Sequence, residues 1–216
     1  MTWDWDAARD FLPHLLDGLL ITLEATALGS VLSFTLGLVW ATALRSPVRL
    51  VRWPVAGVVE FVRNTPLLVQ LFFFYYVLPD WGLRFSALAT GVIALGLHYS
   101  TYTAEVYRAG IDAVPRGQWE AAQALSLSRP RTWFAVILPQ AIRRVVPALA
   151  NYVIAMLKDS PMLALIGVVD MLQEARAEGA SSFQYIEPYT MVGIAFILIA
   201  CPASLLLRAL ERRLGH

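Results

Sequence analysis

Apolar residues run along this chain in long blocks, interrupted by short charged segments. Residues 19–44, 55–78, 86–109 and 189–210 each form a block of the length that spans a bilayer, for which about 20 mostly apolar residues are needed. A fifth block, 145–157, is short and continues past Lys158 and Asp159 into the apolar run 161–169. No stretch reads as a strand meander, and backbone in lipid has to be hydrogen-bonded within its own segment, so the blocks predict helices. The pattern therefore predicts an all-α integral membrane protein with about five transmembrane helices. Residues 158–188 carry Asp159, Asp170, Glu174, Arg176, Glu178 and Glu187 and cannot lie wholly in lipid. They predict an outer-face loop with a short helix, partly re-entrant.

Composition points the same way. The chain is 58% hydrophobic and 15% charged, against about 25% charged in soluble domains. Its 216 residues suit one domain, 1–216, and no internal repeat supplies a second half. A net charge of +1 gives no electrostatic case for nucleic acid. The single cysteine, Cys201, excludes an intramolecular disulfide. The start, MTWDWDAARD, lacks the basic region and cleavage site of a signal peptide and is expected to be retained. Arginines set the orientation. Arg45, Arg49 and Arg52 lie between the first two blocks, Arg108 to Arg144 between the third and fourth, and Arg208, Arg212 and Arg213 at the end. The opposite side has Arg9, Arg84, Lys158 and Arg176 and the acids Asp4, Asp6, Asp10, Asp17 and Asp80. This predicts an N-terminus outside, a C-terminus in the cytoplasm, and a cytoplasmic segment 107–140.

That segment, YRAGIDAVPRGQWEAAQALSLSRPRTWFAVILPQ, is the polar, proline-punctuated exception among the apolar blocks. Pro115 suits the first turn of a helix, where its missing N–H would be unpaired anyway. Trp119, Ala122 and Leu125 or Ser126 then share one helical stripe. Glu120, Ala121 and Ala122 form a short helix with small side chains, so another surface can come close. Ser128, Arg129 and Pro130 break it, a second helix starts near Arg131, and Pro139 marks the start of the next membrane helix. From the residues alone, a docking element and a solvated loop with helical character both remain open.

The spacing resembles the loop motif of permease subunits of ABC importers: Glu-Ala-Ala, three residues, Gly, nine residues, Ile, one residue, Leu, Pro. Glu120, Ala121 and Ala122 open it here, Ser126 stands where Gly is expected, and Val136, Ile137, Leu138 and Pro139 close it. VRNTPLLVQLFFFYYVLP (62–79), YTAEVYRAGIDAVPRGQWEAA (102–122) and LPQAIRRVVPALANYVIAMLKDS (138–160) make the chain similar, nearly end to end, to the polar amino acid branch of that family. Within the branch, HYSTYTAEVYRAG, ALSLSRPRTW and FQYIEPYT resemble the permeases of ectoine and hydroxyectoine importers. The alternative solute is a polar amino acid such as arginine, histidine or glutamine. The resemblance implies a MetI-like type I importer permease fold in the bacterial plasma (inner) membrane. It implies a coupling loop that includes Gly117, Glu120, Ala121, Ala122, Ser126 and Pro139. It also implies partners: nucleotide-binding ATPase subunits, a second permease (a related chain or a copy), an extracytoplasmic solute-binding protein and a small zwitterionic solute. No cofactor, metal or catalytic residue is expected. Gly permits positive φ, whereas Ser costs more or takes another turn, so Ser126 puts the bend between the two short helices in question. A phosphate-binding P-loop needs Gly-Lys before Ser or Thr. The only lysine here is Lys158, preceded by Leu157, so ATP hydrolysis is expected from a separate subunit.

Polar residues inside the apolar blocks are candidates for a solute path, because charge in lipid is costly and faces protein or a cavity. Glu60, Arg63 and Asn64 are spaced to meet on one helix face. They serve the path or form a structural cluster at a Pro66 kink. Glu24 contacts a partner permease or the path. His98, Tyr102 and Glu105 share a face, for solute or for packing; His14 and His216 are too far along the chain to complete a metal site with them. Lys158 and Asp159 offer an opposite-charge pair at a helix end, with Tyr75 and Tyr99 as possible aromatic walls and Tyr76 and Phe72 nearby. Arg143 and Arg144 read as interfacial anchors. Two other classes stand beside the permease. An intramembrane enzyme would need a nucleophile partnered with His98, and none is evident by spacing. A passive channel or regulatory membrane subunit would not need the docking loop.

Overall fold

The computed structural model describes residues 3–214, and every regular element among them is helical. His216 lies outside the described residues. α1 (Trp5–Leu44) begins where the Asp4 carboxylate accepts the N–H groups of Asp6 and Ala7, and runs 40 residues, about 60 Å. It starts 14 residues before the apolar block, because Phe11 and Leu15 in its first turns pack against Met171, Ala175 and Val192.

α4 (Ala87–Asp112) lies along α1 in parallel. Arg45 pairs with Asp112, a Cβ on Gly37 would meet Thr103 Oγ1 at 2.1 Å, and one on Gly29 would meet Leu95 at 3.3 Å. The cause is a stripe of small buried residues at four-residue spacing on α1, Gly29, Ser33, Gly37 and Ala41. Small side chains let backbones approach closely where lipid supplies no hydrophobic drive between helices. Hydroxyls close the seam: Thr103 Oγ1 donates to the Ser33 carbonyl at 2.9 Å, and Trp40 Nε1 donates to Ser100 Oγ at 2.9 Å.

The block 55–78 is not one straight span. α2 (Arg49–Asn64) ends at Thr65–Pro66, and the helical stretch Leu67–Trp81 leaves it at 103°. Within that stretch α3 (Leu67–Phe72) widens into a π-helical segment, Phe73–Val77, two residues before Pro79. The same device recurs further on. α6 (Arg129–Arg131) leads through π-helical Thr132–Ile137 into α7 (Leu138–Asp159), with Pro139 just beyond. Proline removes an N–H and its ring crowds the carbonyl four residues back, and a wider turn relieves both. Pro139 lies in the first turn of α7, as expected, and the helical rod reaches back through the π-helical segment, so that it runs over Arg129–Ile166.

Lys158 and Asp159 are the last two residues of α7, as expected, but the chain stays helical beyond them as 3-10 turns over Ser160–Ile166. The expected outer loop is thus shorter than 158–188. It consists of a turn at Gly167 (φ 82°), α8 (Met171–Ser182) and a turn before α9 (Ile186–Leu214). α8 presses on α1 so closely that a Cβ on Gly18 would stand 2.8 Å from the Met171 backbone. α7 runs antiparallel to α4, with Val145 beside Gly110 and Asp159 beside Tyr99.

Among the described residues, three helical stretches are long and apolar enough to cross a membrane: Trp5–Leu44, Arg129–Ile166 and Ile186–Arg213. The bent pair makes a fourth. α4 has the length but not the apolar composition, because it is the inner helix whose polar side chains meet protein neighbours.

Candidate functional site

Two regions carry polar chemistry. The first is α5 (Arg116–Ala124), the short helix between α4 and α6. Its N-cap is Pro115, one position before the first turn expected for it. Trp119 stacks edge-on against Trp133 at 5.3 Å, and Ala122 is buried beside them. Val114, Ile137 and Ala141 complete this small core. Gln140 donates to Gln118 at 3.1 Å and Arg144 to the Ala113 carbonyl, so the loop is fixed to the base of α7. Gly117, Glu120 and Ala121 face outward. Leu125 and Ser126 are exposed, so the buried stripe stops at Ala122.

Ser126 keeps the turn that a glycine would make. Its φ is 52°, and the N–H groups of Ser126 and Leu127 return to the carbonyls of Gln123 and Ala122 at 2.9 and 3.0 Å. That pair of bonds is the Schellman ending of a helix, held here by a residue that pays about 1 kcal/mol or more for the left-handed conformation.

The second region is a column of side chains along α4. Tyr99 Oη donates to Asp159 Oδ2 at 2.6 Å. The rings of Tyr99, Tyr102 and Tyr152 lie 5.8–6.1 Å apart pairwise, and His98 stands 5.4 Å from Tyr102. Arg63 sits over Tyr102 at 5.7 Å, donates to the Thr101 carbonyl at 2.7 Å and reaches Glu105 at 3.3 Å. Arg108 shares the same Glu105 oxygen at 3.0 Å. Two cations on one carboxylate, with Asp159 at the other end, make the column formally neutral with separated charges. The Nε atoms of Arg63 and Arg108 are buried with no hydrogen-bond partner among the described residues. Gln70 braces the α2–α3 break by donating to the carbonyls of Val62 and Thr65 at 2.7 and 2.9 Å, and stands 3.1 Å from His98 Nδ1. A broken helix leaves such carbonyls without partners, and a side-chain amide supplies one.

Several expected groupings separate in space. Asn64 bonds Glu60, but Arg63 turns to Glu105, and Glu60 is exposed. Lys158 and Asp159 do not pair. Neighbours on a helix point about 100° apart, and Lys158 lines a groove against α9 with Phe196, Ala200 and Cys201 while Asp159 turns to Tyr99. Tyr75 packs on the core that contains Tyr99, whereas Tyr76 and Phe72 are more exposed. Glu24 stands on the exposed face of α1. Among the described residues no three His, Cys, Asp or Glu are grouped to hold a metal. Tyr152 and Gln70 are the site residues that sequence reasoning missed, and it placed Arg63 and Glu105 in separate clusters, not together. The three-residue spacing of Glu105 and Arg108 was a legible signal; the approach of Arg63 was not.

The profile of the family described as binding-protein-dependent transport system inner membrane component matches residues 33–216. The chain is 46% identical over 215 residues to the probable amino-acid ABC transporter permease protein y4tG of Sinorhizobium fredii, covering 97% of this chain and 93% of the relative. It is 35% identical over 214 residues to the L-cystine transport system permease protein TcyB of Bacillus subtilis, covering 98% and 92%. The solved structure of an amino acid ABC transporter with histidines superposes with a TM-score of 0.92 at 36% identity, over 99% of this chain and all of that one.

Proposed function

The chain belongs to the binding-protein-dependent transport inner membrane components and is a permease of an amino acid ABC importer; from this premise we propose how its parts divide the work. α5 receives a separate nucleotide-binding ATPase subunit, and the column around Asp159 contacts the solute. One observation carries this reading. Trp133 and Asp159 lie on the same helical rod, 26 residues or about 39 Å apart. A push on α5 through the Trp119–Trp133 contact is therefore carried toward Asp159 along one helical stretch, in which Pro139 and Pro147 are the points where it can bend. Glu120 and Ala121 are the exposed docking residues, and Ala122 is their inward anchor.

The chain is one transmembrane domain in a bacterial plasma membrane, completed by a second permease, a related chain or a copy. Its N-terminus lies outside and its C-terminus in the cytoplasm, which puts Arg45, Arg116, Arg144 and Arg212 on the α5 side. An extracytoplasmic binding protein delivers a small zwitterion, whose two charges suit a neutral column with a carboxylate at one end and guanidinium groups at the other. Ectoine and hydroxyectoine are the specific solutes that the sequence resemblance raises. The relatives' names, amino acid and cystine, favour a polar amino acid, and ectoine rests on the sequence resemblance alone.

The test is uptake by the complete transporter together with capture of the ATPase subunit. Glu120→Lys and Ala121→Trp abolish uptake and ATPase capture while the chain still reaches the membrane. Ala122→Trp instead dislodges α5 from Trp133. Wild-type uptake in the first two variants would remove α5 from the coupling role. Competition of uptake by ectoine against arginine, histidine and glutamine separates the two solute readings.

A further inference from the structure

At the end of the bundle opposite α5, where α1 begins and α8 turns into α9, lies a cavity of about 620 Å³ that neither the coupling loop nor the column uses. Trp3, Trp5, Phe183, Tyr185, Asp6 and Glu187 line it, and none of its lining residues is basic. Two features of its wall are not explained by packing. Phe183 ends α8 at φ 58°, a left-handed conformation in which a bulky side chain is strained, yet it is 81% exposed, so burial does not offset the strain. Trp5 beside it is 77% exposed. Glu187 is 4% exposed, accepts the Asp4 N–H at 2.9 Å and has no cationic partner among the described residues.

A strained, solvent-facing phenylalanine and an exposed tryptophan over a carboxylate-lined cavity are what a partner's arginine or lysine fits. The cation meets the exposed carboxylates of Asp4 and Asp6, and its stem or guanidinium plane covers the rings. Exposed aromatics that become buried are also the residues that dominate protein interfaces. Anionic lipid headgroups do not suit an acidic rim. The ATPase docks about 60 Å away at the far end of α1 under the reading above.

We propose that this cavity is the docking site on this chain for a basic, apolar-tipped surface of the extracytoplasmic binding protein, with Phe183 and Trp5 as anchors and the exposed Asp6 supplying the charge. The proposal rests on the permease reading. The family's description itself requires a binding protein.

The experiment titrates binding protein into the reconstituted complete transporter and reads ATPase stimulation. Phe183→Asn removes the ring but keeps a residue that tolerates the left-handed turn. It and Trp5→Ala should each raise the half-saturating concentration about tenfold, with basal and maximal ATPase activity and the yield of assembled complex unchanged. Asp6→Asn should flatten the salt dependence of the titration. An unchanged half-saturating concentration in both aromatic variants overturns the proposal. So does a fall in complex yield with an unchanged titration, which would make the patch a lipid-interface anchor. Absence of stimulation in the unmodified complex would overturn the permease reading first and this proposal with it.

Discussion

Replacing Asp159 by Asn removes one charge from the column and keeps the side chain's shape. Asp159 is half-buried and takes the Tyr99 hydroxyl at 2.6 Å, a bond an asparagine oxygen can still accept. Under the proposed solute contact, what the variant loses is the attraction of the carboxylate for a cation of the solute. Hydrogen bonds to charged groups contribute about 1.5–3 kcal/mol. At about 1.4 kcal/mol per tenfold, the half-saturating solute concentration should rise roughly 10- to 150-fold. The assay is ATPase activity of the reconstituted complex, with and without solute, at saturating binding protein, alongside direct solute binding. Basal ATPase should persist, because α5 is untouched and a ligand's effect depends only on its differential contacts. Tyr99→Phe supplies the second edge of a double-mutant cycle. If Tyr99 acts by aiming Asp159, the double variant should match Asp159→Asn alone, giving a coupling of about 0.5–3 kcal/mol. Lys158→Gln is the control, since Lys158 faces α9. Unchanged solute stimulation in Asp159→Asn, or an equal loss in Lys158→Gln, would refute the reasoning.

Ser126→Gly should relieve the left-handed strain and stabilise the end of α5 by up to about 1 kcal/mol, read as greater hydrogen-exchange protection of the Ser126 and Leu127 amides; Ser126→Val should reduce it. Burial pushes the Asp170 carboxyl from 3.8 up to about 6, against the opposing backbone N–H bonds at the start of α8. The folded chain then holds a proton that the unfolded chain has released between pH 4 and 6, so stability falls by about 3 kcal/mol as pH rises through that window, and Asp170→Asn should remove the slope. In a Cys201→Ala background, single cysteines at Asp6 and Glu178 should react with an external membrane-impermeant reagent and those at Gln118 and Arg212 should not. External labelling at Gln118 would reverse the orientation.

Much of the fold was legible because membrane helices announce themselves by length and apolar composition. The blocks at 19–44 and 189–210 reappear in α1 and α9, and the helix of Glu120–Ala122 forms where its stripe placed it. The block 86–109 became α4, although only its packing between neighbours explains so polar an inner helix. The 103° break at Pro66 was underestimated as a kink. A proline removes one bond and restricts the residue before it, but the angle is set by what the two arms pack against, here with Gln70 supplying the lost carbonyl bonds.

The sequence by itself determined which segments are helical and that α5 has small, exposed side chains. It also determined that Ser126 replaces a glycine, but not that it would take the left-handed turn. Only the tertiary structure decided which charges meet. Lys158 and Asp159 are neighbours in the chain and point to different helices, while Arg63 and Glu105, 42 positions apart, share a bond. The physical reason is that helical spacing fixes contacts within one helix, whereas contacts between helices depend on depth and rotation. Those are set here by backbone approach at Gly29, Ser33 and Gly37, and no local pattern of polar residues records them.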